Sequence, residues 1–178
     1  DRLACMWVAM DSARNVYVYK ELCQPDLPIS AAAQAINDMT LSNEKIYAVL
    51  APPDLWNRSQ ETGKSKALLF SEAGLDLTKS NNDREAGWLA IKELLAQDAE
   101  GNSRLHIFKN CPQLIKNLPE LLRDPKHPTD TMNEPHEITH SPDALRYFAI
   151  YWVSPSLPTQ EKRVKYRKDH LEDYLNAG

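Results

Sequence analysis

The segment Pro135-His136-Glu137-Ile138-Thr139-His140-Ser141-Pro142-Asp143-Ala144-Leu145-Arg146-Tyr147 brings two histidines and two carboxylates within eight residues, then runs into an amphipathic helix. Such spacing suits one edge of a metal site. Ser141 fits a helix N-cap, Pro142 the first helical position and Asp143 the first turn, where unpaired backbone N–H groups keep a carboxylate ionised. An ionised carboxylate is the oxygen ligand a hard divalent cation needs. His140, three residues earlier, can stand beside it as an auxiliary ligand or as a base that orients water. The same placement serves the helix dipole equally well with no metal involved.

A second constellation is Leu50-Ala51-Pro52-Pro53-Asp54-Leu55-Trp56-Asn57-Arg58, in which Asp54 follows the C-terminal end of an apolar strand. Ligands gather at that end of strands in open α/β sheets, although an ordinary turn aspartate also fits. Downstream, Thr62-Gly63-Lys64-Ser65 resembles the close of a phosphate-binding loop. That loop requires a glycine five residues before Gly63, and Arg58 stands there. Pro52, Pro53 and Trp56 further stiffen the region, so a nucleotide-hydrolysing loop is excluded. Arg58 and Lys64 remain candidates for holding a polyanion through their side chains.

The elements that must position these residues read as an α/β domain. Ala4 to Met10 and Val16 to Leu22 are β-prone runs joined by Asp11-Ser12-Ala13-Arg14-Asn15, which predicts a hairpin. Ser30 is suited to cap a helix to about Met39, with Ile29, Ala33, Ile36 and Thr40 along one side. A strand over Lys45 to Ala51 stops at Pro52-Pro53. Helices are predicted over Thr62 to Ala73, with Gly74 at its C-cap, and over Asp83 to Ala96, with Trp88, Ile91 and Leu95 on one face. A strand at Leu105 to Phe108 follows, then a helix from Pro112 to Leu121 or Leu122. The last core helix carries Leu145, Phe148, Ala149 and Trp152 at helical spacing.

Composition bounds the class. At 178 residues, 42% hydrophobic and 26% charged, the chain can bury one full core. Twelve prolines against five glycines suggest firm loops. No apolar run approaches the ~18 residues of a membrane span, and the opening residues lack a signal-peptide pattern, so the chain reads as soluble and intracellular. Cys5, Cys23 and Cys111 are odd in number and widely spaced, indicating neither a disulfide framework nor a zinc site. A formal net charge of -4 means that any nucleic-acid contact must use a local patch. After Ser154-Pro155-Ser156-Leu157-Pro158 the character changes. Glu161 to Lys168 is locally basic and is followed by Asp169, Glu172 and Asp173, which predicts a linker and charged tail over 154–178 beyond a domain over 1–153.

The blocks Asp1-Arg2-Leu3-Ala4-Cys5-Met6-Trp7, Val18-Tyr19-Lys20-Glu21-Leu22, Pro53 to Arg58 with Thr62 to Ser65, Asn82-Asp83-Arg84 with Gly87-Trp88, and Thr139 to Tyr147 occur in this order. Together they resemble the C-terminal nuclease domain of phage large terminase subunits, up to about Trp152. The resemblance implies an RNase H-like fold, a mixed sheet flanked by helices. It also implies an endonuclease that cuts concatemeric double-stranded phage DNA during packaging in the host cytoplasm. Two divalent ions, Mg²⁺ or Mn²⁺, would be held by acids from the first strand, a later strand end and the final helix. Asp143 matches the last of these and Asp54 the middle one, with His140 auxiliary to both roles. Arg58, Lys64 and Arg146 become candidate DNA contacts. The first acid and its strand are expected ahead of Asp1, so weak or absent cutting is expected of these 178 residues alone. An ATPase motor upstream in the same subunit, the small terminase subunit and the portal are the implied partners. A non-catalytic DNA- or protein-docking module and a structural scaffold are the other readings.

Overall fold

A computed structural model of the chain describes residues 2–153. Asp1 and the linker and tail expected over 154–178 lie outside them.

The hairpin forms as its alternation predicts. β1 (Arg2–Met10) pairs antiparallel with β2 (Val16–Pro25), both longer than expected, and the register shifts between Trp7 and Val8. The connecting turn is closed by Asp11, whose carboxylate accepts from the Asn15 amide at 2.8 Å. β2 also pairs in parallel with β5 (Leu105–Ile107), giving a mixed sheet of order β1-β2-β5. A separate parallel pair joins β3 (Leu50–Ala51) to β4 (Thr78–Lys79). The strand predicted over residues 45–51 therefore contracts to its last two residues.

Helices cover both faces of the three-stranded sheet, because successive strand residues point to opposite sides. Val16 and Val18 face a core built with Leu105, Trp88, Leu94, Leu114, Leu145 and Ala149, drawn from α3 (Arg84–Leu95), α4 (Pro112–Glu120) and α5 (His136–Val153). Trp7 and Leu22 face the other core, with Ala33 and Ile36 of α1 (Ile29–Met39) and Phe70 of α2 (Lys66–Glu72). Each fully buried Leu or Val contributes about 1.5–3 kcal/mol, so these layers hold the sheet in place. Among the described residues no helix is long and apolar enough to cross a membrane.

Several helix starts differ from expectation for identifiable reasons. α1 begins at Ile29 behind Pro28, and Ser30 makes no capping bond. α2 begins only at Lys66, capped by Ser65, whose hydroxyl accepts from the Leu68 amide at 3.1 Å. Thr62 to Lys64 are instead spent on a turn, with Gly63 at a left-handed φ of 67°. Asp83 caps α3 by accepting from the Ala86 amide at 3.0 Å. On that helix Leu94 is fully buried while Leu95 is 43% exposed, which reverses the predicted face by one position.

The largest correction concerns α5. It starts at His136, so Ser141 is not its cap, Pro142 lies inside it and Asp143 is beyond its first turn. The Ser141 hydroxyl is buried and accepts instead from Asn117 Nδ2 at 3.1 Å, a tertiary bond that removes it from capping. Pro142 lacks an N–H, so the Ile138 carbonyl loses its helical donor.

Candidate functional site

Asp54 and Asp143 are brought to one locality by the small parallel pair and α5. Asp54 lies in a short 3₁₀ turn, Pro53–Trp56, directly after β3, and is exposed. The Ser80 amide, just past β4, donates to the Ala51 carbonyl at 2.9 Å. The Ser80 hydroxyl then donates to the Tyr147 carbonyl on α5 at 3.2 Å, tying the strand ends to the helix that carries Asp143. Burial pushes the Tyr147 phenol up, and the carboxylates of both Asp143 and Asp54 push it further, against the influence of Arg146. Both acids therefore lie within electrostatic reach of one phenol, Asp54 just past the C-terminal end of β3, where ligands favour α/β sheets, and Asp143 on α5.

A guanidinium hub fixes Asp143. Arg146 Nε donates to Asp143 Oδ1 at 2.7 Å, and Arg84 Nη1 reaches the same oxygen at 3.4 Å. Oδ2 makes no hydrogen bond among the described residues, which leaves one oxygen of a partly exposed carboxylate for a ligand. Arg146 itself is 1% exposed. Its Nη2 donates to Asn82 Oδ1 at 3.1 Å, and its guanidinium carbon sits 4.4 Å from the Tyr147 ring centroid. Nη1 is buried without a partner among the described residues, so stacking on the ring carries part of that charge. Tyr147 Oη donates to the same Asn82 oxygen at 3.0 Å.

Arg84 anchors the hub from α3. Its Nε lies 2.9 Å from Asp130 Oδ2, and Trp88 Nε1 donates to Asp130 Oδ1 at 2.9 Å. Burial alone would raise the Asp130 carboxyl, but Arg84, the Thr131 amide and Trp88 outweigh it and hold the group below the usual carboxylate range.

His140 sits within electrostatic reach of Asp143, with no hydrogen bond to it among the described residues. Burial lowers its affinity for a proton; His136 and Arg2 lower it further, and Asp143 acts in the opposite sense. Its proton affinity is thereby set below that of a free imidazole.

The three basic candidates separate. Arg58 is exposed beside the Asp54 turn, and its backbone bridges to Ser65. Lys64 Nζ is 2.7 Å from Glu72, with both side chains about half exposed. The predicted DNA contact at Arg146 is corrected: a residue so deeply buried and already paired with Asp143 cannot meet a phosphate. The turn at Thr62 to Ser65 satisfies itself, with the Gly63 amide on the Ser59 carbonyl at 2.9 Å and the Ser59 amide on the Lys64 carbonyl at 3.0 Å. Those amides are unavailable to phosphates, in agreement with the exclusion of a phosphate-binding loop.

As a donor set, two carboxylates suit a hard cation that keeps most of its waters or shares substrate oxygens. No group of three or more His, Cys, Asp or Glu side chains converges among the described residues. Sequence reading passes over Asn82, Arg84 and Tyr147 as site residues, although all three fall in the blocks quoted above. An arginine on the apolar stripe of α5, three residues after an aspartate, was the available signal for a buried ion pair.

No protein-family model matches the chain, and no curated protein matches it in sequence. Among solved structures, the chain is similar to the P22 large terminase nuclease domain, with a TM-score of 0.61 and 17% identity over 84% of this chain and 74% of that one. The likeness is one of fold: the mixed sheet flanked by helices is that of a terminase nuclease domain.

Proposed function

We propose that this chain is the nuclease domain of a viral DNA-packaging terminase, a metal-dependent endonuclease that cuts concatemeric double-stranded DNA in the host cytoplasm. The observation that carries the reading is the fold shared with a terminase nuclease domain, in which Asp54, after β3, and Asp143, on α5, both lie within electrostatic reach of Tyr147. In this reading the RNase H-like core spans residues 1–153, with the ATPase motor in the same subunit and the small subunit and portal as partners.

Two Mg²⁺ or Mn²⁺ ions, when bound, supply a polarised phosphate and an activated water. Asp54 and the Oδ2 of Asp143 are the residues that would hold them. Arg146 and Arg84 orient the Asp143 carboxylate through its other oxygen, so its free lone pairs stay fixed in direction. Asn82 ties Arg146 to Tyr147 and closes the back of the site. His140, within electrostatic reach of Asp143, would accept a proton from water at its ring nitrogen. Arg58 and Lys64 lie on the same 50–65 loop region as Asp54 and would contact DNA phosphates.

The test is nicking of supercoiled plasmid by the domain within its parent subunit. Cutting is expected only with Mg²⁺ or Mn²⁺, and is expected to vanish in Asp143→Ala and Asp54→Ala proteins that keep a native circular dichroism spectrum. Undiminished cutting by both variants would overturn the assignment. A second reading, a non-catalytic docking module, is favoured by the two guanidiniums already engaged at Asp143. It requires that no ion bind between Asp54 and Asp143.

A further inference from the structure

We propose that His136 and His140 form a separate binding site for a borderline divalent transition ion such as Zn²⁺, Ni²⁺ or Co²⁺. The two residues are four apart on α5, which is helical through both, so their side chains rise from the same face one turn apart. Their rings already touch edge to face, with centroids 4.4 Å apart. Neither ring makes a hydrogen bond among the described residues, so the nitrogens of two adjacent imidazoles are free. His136 is exposed and His140 half-buried, which gives an ion an open approach on one side and a sheltered one on the other.

Imidazole nitrogens select this class of ion over Mg²⁺, which prefers oxygen. The charges around the pair are mixed. Arg2 lies within electrostatic reach of His140 and opposes a cation, whereas Asp143 favours one. The Glu134 carboxylate, which accepts from the His136 amide at 3.1 Å, adds negative charge at the outer edge. Two imidazoles with waters completing the shell make a chelate that needs no third side chain. A consequence that rests on the nuclease reading is that an ion held here withdraws His140 from the water near Asp143.

The test is a Zn²⁺ titration of the 178-residue chain in millimolar Mg²⁺ near neutral pH, followed by the ring nitrogen resonances of its five histidines. His136 and His140 are expected to shift together and saturate at one equivalent, while His106 and His127 do not move. His136→Gln, a change at an exposed position, is expected to abolish the His140 shift, and His136→Ala to do the same. Asp143→Asn is expected to leave both shifts in place, even if it removes every trace of nuclease activity. Independent behaviour of the two rings would overturn the site, as would a His140 shift that survives His136→Gln. Capture of the zinc by cysteines, seen as no ring shift at all, would overturn it as well. Loss of the shifts in Asp143→Asn would assign the histidines to the carboxylate site instead.

Discussion

Replacing Gly87 with alanine sets two effects of known size against each other. Gly87 lies inside α3, where Ala is preferred over Gly by about 1 kcal/mol, so in an open helix the change would stabilise. A Cβ there would stand 2.5 Å from Arg146 Cγ and 3.1 Å from both Arg146 Cδ and Ile150 Cγ1. The Arg146 atoms are not the free end of a flexible chain. They are the middle of a fully buried side chain pinned at Asp143 by a 2.7 Å bond and at Asn82 by a 3.1 Å bond. Overpacking of this kind costs about 1–3 kcal/mol, and the shortest contact argues for the upper half of that range. The net expectation is destabilisation by about 1–2 kcal/mol, or a Tm lower by about 2–8 °C for a chain of this size. Urea and thermal unfolding followed by circular dichroism would measure it. In an Arg146→Ala background the same substitution is expected to cost less than in wild type, since the 2.5 Å clash is gone and only the 3.1 Å contact with Ile150 Cγ1 remains. Gly87→Ala that stabilises the wild-type background by about 1 kcal/mol, the bare propensity value, would refute the packing of Arg146 against α3.

Asp130→Asn is expected to cost about 1–3 kcal/mol at neutral pH, because it weakens the bonds to Arg84 and Trp88. The folded Asp130 carboxyl lies below its unfolded value, so its contribution is complete above the usual Asp range near pH ~4 and is lost as pH falls through the folded value. Denaturation across this acid range should show wild type and Asp130→Asn converging as pH drops. Asn117→Ala should cost about 1–3 kcal/mol by stranding the buried Ser141 hydroxyl, with partial recovery in the Asn117→Ala, Ser141→Ala double variant, read by the same unfolding assay. If Arg58 contacts a DNA phosphate, Arg58→Ala should reduce the slope of log affinity against log salt by about 0.9, measured by fluorescence anisotropy.

Local pattern carried the elements whose environment is local. The alternation of Val16-Tyr17-Val18-Tyr19 declared a strand, and Asp83 and Pro112 each a helix start; the strand and the Pro112 start hold in the structure, and the other helix begins one residue later, with Asp83 as its cap. Ser141-Pro142 has the same local grammar as a helix start but is overruled by Asn117 of α4, which takes the serine hydroxyl and lets the helix run back to His136. Arg146 was misread as a DNA contact for a related reason: residue type suggests surface, whereas its place on the stripe with Pro142 and Ala149 puts it inside. Asp54 and Asp143 were legible as candidates. The tie between their two elements was not, because it runs through Ser80 and Tyr147, residues 67 positions apart whose bond no local spacing encodes.

The most direct test of the central proposal is Mn²⁺ relaxation mapping of the 178-residue chain. Substoichiometric Mn²⁺ should broaden the amide signals of Asp54, Leu55, Asn82, Asp143 and Tyr147 ahead of all others, with Mg²⁺ competing the effect away and Asp143→Asn eliminating it. Broadening that centres elsewhere, or that persists unchanged in Asp143→Asn, would contradict a carboxylate metal site between the strand ends and α5.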